Sequence, residues 1–216
     1  MNTELLLKTE QFLKDTFAAS SYLTNHPAEQ SYRLEHSFRV ANIAKTIAES
    51  EGLNVTNAVI GALLHDISYC EQMQTREARI NHGRRSAAIS RPFLEKLGLS
   101  DDDVNEICYS IAIHVDDNAD FEWSRTVFSE TVGDADNIDR FDSYRIYETL
   151  EYLKFSEMNW DKKLETVVTT MDRLTKLKDM KLGTITAKNL WIQRLDYYIG
   201  FYSKLKSQLD SSITVL

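Results

Sequence analysis

From Ser31 to Glu51 the apolar residues Leu34, Phe38, Ala41, Ala44 and Ala48 recur every third or fourth position, and Gly52 follows where a helix C-cap belongs. This spacing predicts an amphipathic helix. Thr56 is placed to cap the next helix, whose stretch Ala58-Val59-Ile60-Gly61-Ala62-Leu63-Leu64 is apolar all round. A short helix of that kind predicts a central core element. It ends at His65-Asp66. Residues 67–81 read as a loop, followed by a helix around 83–97 that Gly98 stops. Ser100 then reads as the cap of a helix with Asp101, Asp102 and Asp103 in its first turn, where the helix dipole favours carboxylates. The stripe Val104, Ile107, Ile111, His114 and Val115 puts His114 on that helix's buried face. Residues 116–125 read as polar loop, and a further helix is expected from about Thr126 past Phe141.

The C-terminal third carries two more stripes, Leu164-Val167-Val168-Met171-Leu174-Leu177 and Leu190-Trp191-Leu195-Tyr198-Tyr202-Leu205-Leu209. Both read as packing surfaces. No segment alternates long enough to predict a sheet, so the expected fold class is all-α.

Composition supports that reading. The 216 residues contain only 7 Gly and 2 Pro, too few for a turn-rich β architecture. A net charge of -8 disfavours a nucleic-acid polymer as partner, because affinity for phosphate backbones rests on excess Lys and Arg. A small anion in a local cationic pocket stays compatible with it. Cys70 and Cys108 form no C-x-x-C pair, which fits a reduced compartment. The N-terminal residues lack the basic and apolar runs of a signal peptide, and no uncharged apolar stretch approaches the ~20 residues that span a bilayer. The expectation is a cytoplasmic protein with no membrane partner, either alone or as a homo-oligomer.

Four histidines fall where a structural explanation is strained. His36 lies early in the first amphipathic helix, His65-Asp66 closes the apolar one, His82 precedes Gly83-Arg84-Arg85, and His114 ends a buried stripe. Asp134, Asp136 and Asp139 add three carboxylates in an apolar helical context. Singly, each reads as a cap, a core hydrogen-bonding group or a solvated acid. Jointly they demand more, because burying His65 beside Asp66 is costly unless a cation compensates. A divalent cation accepts imidazole nitrogen and carboxylate oxygen together.

The ordered set His36-Ser37-Phe38-Arg39-Val40-Ala41, Ala62-Leu63-Leu64-His65-Asp66-Ile67, His82-Gly83-Arg84-Arg85-Ser86-Ala87 and Asp134-Ala135-Asp136 resembles the HD superfamily of metal-dependent phosphohydrolases. The resemblance covers about residues 30–145 and implies a multi-helix HD bundle, with residues 146–216 as a helical extension of one domain. It further implies that His36, His65, Asp66 and Asp136 bind a divalent metal, whether Mn, Mg, Co, Ni, Fe or Zn. Asp134 and Asp139 are the alternatives to Asp136.

By the same resemblance, Asp66 orients a metal-activated water, while His82 and His114 face the substrate or hold a second metal. With only Glu71 as an added carboxylate after Asp66, one metal is the preferred expectation. Arg84 and Arg85, read as opening a helix with free backbone amides, are the candidate phosphate contacts. The implied function is hydrolysis of small phosphoesters, nucleotides above all, although the Ile67-Ser68-Tyr69-Cys70-Glu71-Gln72 segment lacks charged residues that nucleotide-cleaving members carry there. A di-iron oxygenase, a non-catalytic ligand-sensing HD module and a purely structural helical scaffold are the rival readings.

Overall fold

The computed structural model describes residues 1–213, which form ten α-helices and two short 3-10 helices with no strand among them. The all-α expectation is borne out. None of these helices is long and apolar enough to cross a membrane. The chain divides into two compact units, Met1–Asp139 and Arg140–Leu216.

The first unit holds α1 (Thr3–Ala18), α2 (Ser21–Thr24), α3 (Pro27–Glu51), α4 (Val55–Leu64), α5 (Arg76–Lys96), α6 (Asp101–Ile113) and α7 (Val127–Asp139). Helix α4 is its centre. Every residue from Asn57 to Leu64 is buried, and the helix packs against α1, α3, α6 and α7. Burying Ile60, Leu63 and Leu64 contributes about 1.5–3 kcal/mol each relative to exposure. Gly61 permits this closeness, since a Cβ there would lie 3.1 Å from Val132 Cγ2 of α7. Helix α3 ends as its sequence predicts, at Gly52 with φ of 68°. Ser100 caps α6, its Oγ accepting from the Asp103 amide at 3.2 Å.

Three boundaries differ from the sequence reading. Asn54, two residues before Thr56, caps α4 by accepting from the Asn57 amide. Residues 67–81 are not all loop: Ile67–Cys70 forms a 3-10 turn, and α5 begins at Arg76, where Thr75 Oγ1 accepts from the Ala78 amide. Helix α7 stops at Asp139 and does not run past Phe141, because Asp142 starts a new helix by accepting from the Ser143 amide.

The second unit contains α8 (Ser143–Tyr152), the 3-10 turn Phe155–Glu157, α9 (Trp160–Leu177) and α10 (Ile185–Asp210). Helices α9 and α10 run antiparallel. The Trp160 indole N–H, at the start of α9, donates to the Leu209 carbonyl near the end of α10, and the Trp191 indole N–H donates to Leu177. Val167 and Leu174 from the first stripe, and Trp191, Leu195, Tyr198 and Tyr202 from the second, are buried. Phe141 meets the Trp191 ring edge-on at 4.8 Å.

Candidate metal centre

Five elements of the first unit converge on one cluster: α3 brings His36, the end of α4 brings His65 and Asp66, α5 brings His82, the end of α6 brings His114, and α7 brings Asp136. All six side chains are at most 9% exposed, so their mutual contacts are shielded from water.

The four imidazoles share one arrangement. His65 Nδ1–H donates to the Ala62 carbonyl at 2.7 Å, His82 Nδ1–H to Arg79 at 2.6 Å and His114 Nδ1–H to Ile111 at 2.7 Å. Carbonyl oxygen can only accept, so these contacts keep a proton on each Nδ1 and leave Nε2 to face the cluster. His36 donates from Nδ1 to Asp139 Oδ2 at 2.8 Å, and Arg39 Nε donates to the same carboxylate. A histidine backed by a carboxylate is the arrangement that orients and strengthens a metal ligand.

All four Nε2 atoms then face the carboxylates. His36 Nε2 lies 3.1 Å from Asp136 Oδ1 and 3.7 Å from Asp66 Oδ2. His65 Nε2 is 3.8 Å from Asp66 and 3.9 Å from Asp136. His82 Nε2 and His114 Nε2 approach Asp66 Oδ1 at 3.0 and 3.8 Å and each other at 3.1 Å. Donor atoms within 4.8 Å of one another form three groups, His36-His65-Asp66, His65-His114-Asp136 and Asp66-His82-His114. Asp66 belongs to two of them.

The charge balance follows from these contacts. Burial opposes a charged His36, yet hydrogen bonds to Asp136 and Asp139 raise its pKa to about 9. His65 is pushed down to about 4 by burial and stays neutral. Burial would raise the Asp66 carboxyl, but the His82 imidazole and the Arg33 guanidinium hold it well below the ordinary carboxylate range. Burial likewise opposes charge on His82, and Asp66 overrides it, raising that pKa. Imidazole nitrogens and carboxylate oxygens converging in this way suit a divalent cation that keeps further positions for water.

Packing holds the cluster at these distances. Ser86 Oγ donates to Ser68 Oγ at 2.9 Å, Ser68 Oγ donates to the His82 carbonyl at 3.0 Å, and the Ser68 amide donates back to Ser86. This buried clasp joins the turn after Asp66 to the helix bearing His82. Gly83 lets α5 reach the end of α6, since a Cβ at that position would lie 2.7 Å from the Ala112 carbonyl oxygen.

Family comparison decides how to read the cluster. The profile of the HD domain matches residues 33–176. The chain belongs to the HD domain family. The match extends further along the chain than the motifs that carry the resemblance in sequence, and the family is one of metal-dependent phosphohydrolases. Among solved structures, the chain is similar to a predicted HD superfamily hydrolase from an uncultured Thermotogales bacterium, at 22% identity and a TM-score of 0.66 over 96% of this chain and 99% of that one. It is also similar to Bacillus subtilis YpgQ, solved in complex with ADP, at 18% identity and a TM-score of 0.56 over 94% and 96% of the two chains. At those identities the likeness is one of fold. Comparison with curated protein sequences gives no match.

The expected phosphate contacts are placed differently from the sequence reading. Arg84 and Arg85 lie in the third turn of α5, which starts at Arg76, so their backbone amides are already used within the helix. Arg84 Nη1 donates to Asp116 at 2.8 Å, and Arg85 pairs with Glu71 on the surface. Asp134 is buried yet belongs to none of the three donor groups, and Asp139 supports His36 from behind. The sequence reading passed over Arg33, whose Nη1 donates to Asp66 Oδ2 at 3.0 Å. Its signal was its place three residues before His36, on the same face of one helix.

Proposed function

We propose that this HD-domain chain hydrolyses small phosphoesters, with nucleotides as the leading substrate class, at a divalent metal centre formed by His36, His65, Asp66 and Asp136. The observation that carries the reading is the common aim of the four imidazoles: each Nδ1 is tied back to a carbonyl or carboxylate, and each Nε2 faces the Asp66–Asp136 carboxylates. A divalent cation held there lowers the pKa of water and neutralises charge on a phosphoryl oxygen. Asp66, already stripped of its proton, accepts hydrogen bonds and orients the attacking water. His82 Nε2, 3.0 Å from Asp66 Oδ1, is placed to pass a proton to the leaving oxygen. ADP in the YpgQ complex supports nucleotides as the substrates to try first.

A second reading keeps the reaction and adds a cation on Asp66, His82 and His114. It is favoured by the 3.1 Å contact between His82 Nε2 and His114 Nε2. With both Nδ1–H groups engaged, two neutral rings would oppose lone pair to lone pair, so a proton or a second metal belongs between them. Elemental analysis of the purified protein, followed by a phosphate-release screen across nucleotides with Mn²⁺, Co²⁺, Ni²⁺ or Mg²⁺, tests both. Bound metal with phosphate release supports the proposal. Two irons per chain with an optical band and no phosphate release would instead select the oxygenase reading.

A further inference from the structure

We infer that Arg33 sets the balance of this site between metal and substrate anion, weakening cation binding through Asp66 while supplying N–H donors to the substrate's phosphoryl oxygens. The inference rests on the proposed reading of the cluster as a metal centre that cleaves phosphoesters. Three observations carry it, and the first is position. Arg33 Nη1 sits 3.0 Å from Asp66 Oδ2, the same oxygen that faces His36 at 3.7 Å, and the carboxylate is only 5% exposed. A guanidinium there cancels part of the negative charge that a cation would otherwise meet, and the shielding by protein keeps that effect strong.

The second observation is restraint. The guanidinium carbon lies 3.3 Å from the centroid of the Tyr69 ring and 5.5 Å from that of Tyr32. Glu29 stands 3.9 Å from Nη2 and is itself fixed by the Tyr22 hydroxyl, which donates to it at 2.6 Å. Arg33 is thus held as a planar fork beside the cluster, the geometry that receives phosphate in two places.

The third is unspent hydrogen bonding. Arg33 Nε is buried with no hydrogen-bond partner, and a buried donor left unpaired is costly enough to call for an acceptor. Three arginines on the helices of the cluster are committed, Arg39 to Asp139, Arg84 to Asp116 and Arg85 to Glu71. Arg33 alone among these four both touches a cluster carboxylate and keeps a buried donor in hand. A phosphoryl oxygen seated beside Asp66 would supply that acceptor.

The two roles predict opposite signs, which a merely structural role would not produce. Calorimetric titration of metal-free protein with Mn²⁺, then of Mn²⁺-loaded protein with inorganic phosphate, is compared for wild type, Arg33→Gln and Arg33→Lys. Removing the charge in Arg33→Gln tightens Mn²⁺ binding by about fivefold and weakens phosphate by about tenfold or more. Arg33→Lys keeps the charge and leaves Mn²⁺ affinity at the wild-type level, but it loses the planar fork and weakens phosphate. Should Arg33→Gln fail to fold, the Lys variant still tests the anion role. An Arg33→Gln protein that binds Mn²⁺ no more tightly than wild type overturns the inference, as does undiminished phosphate affinity in either variant. Wild-type protein that takes up no Mn²⁺ brings down the metal centre itself, a failure distinguishable from the other two.

Discussion

Replacing Gly83 by alanine adds one methyl group at the point where α5 meets the end of α6. That methyl would stand 2.7 Å from the Ala112 carbonyl oxygen and 3.0 Å from both the Ile111 carbonyl oxygen and His114 Nδ1. Two of the three obstacles are backbone, so no side-chain rotation relieves them, and the helices must part by roughly half an ångström. Such overpacking costs about 1–3 kcal/mol. Alanine's better helix propensity returns up to about 1 kcal/mol. Net destabilisation is therefore modest, about 0–2 kcal/mol.

The local effect is larger, because the Ile111 carbonyl is the acceptor that fixes His114 at 2.7 Å. Losing such a supporting contact typically costs about 10–100-fold in turnover where the imidazole faces substrate, and in affinity for the second cation where His114 holds one. Denaturant unfolding paired with phosphate release and Mn²⁺ titration measures both effects. Gly61→Ala is the control, since its 3.1 Å neighbour is the movable Val132 side chain, far less able to disturb a ligand. A Gly83→Ala protein with wild-type stability and wild-type turnover would refute the reasoning.

Three further outcomes are expected. Asp66→Ala abolishes phosphate release while the far-ultraviolet dichroism stays helical, because Asp66 is shared by two donor groups but contributes little apolar packing; unchanged turnover would remove it from the mechanism. His82→Ala lowers turnover, and its metal content decides nuclearity: loss of one equivalent marks a second metal site, and unchanged content marks one metal. In metal-free protein the His36 pKa stands at about 9 against an ordinary 6.5, so its stabilising contribution is complete below pH 6.5 and fades as pH rises through about 9. The melting temperature of the metal-free form should fall across that window, and a flat profile would show that the pairing with Asp136 and Asp139 does not hold His36 charged.

What the sequence made legible follows from local pattern. The apolar run of α4 ends in His65-Asp66, and its complete burial matches what an all-round hydrophobic helix must do. Gly52 and Ser100 marked their helix ends by chemistry that operates within a few residues. The start of α5 was hidden because Arg76 to Asn81 are mostly polar and exposed, leaving no apolar period to read. That missed turn is why Arg84 and Arg85 read as opening a helix that in fact starts at Arg76. The supporting contacts were hidden for another reason: His36 and Asp139 are 103 positions apart, and only the packing of α3 on α7 brings them together. Arg33 was discoverable in principle, yet an arginine on a charged helix face looks the same in sequence whether it meets solvent or a buried carboxylate.

The Ser68–Ser86 clasp has a consequence for how this scaffold can change. Because it ties the turn bearing Asp66 to the helix bearing His82 by buried hydrogen bonds, the intervening segment Glu71 to Thr75 does not carry the spacing between those two groups. Insertions or exchanges in that mostly exposed stretch leave the Asp66–His82 separation in place. The protein can therefore be re-tailored at this loop, by drift or by design, without retuning the chemistry beneath it.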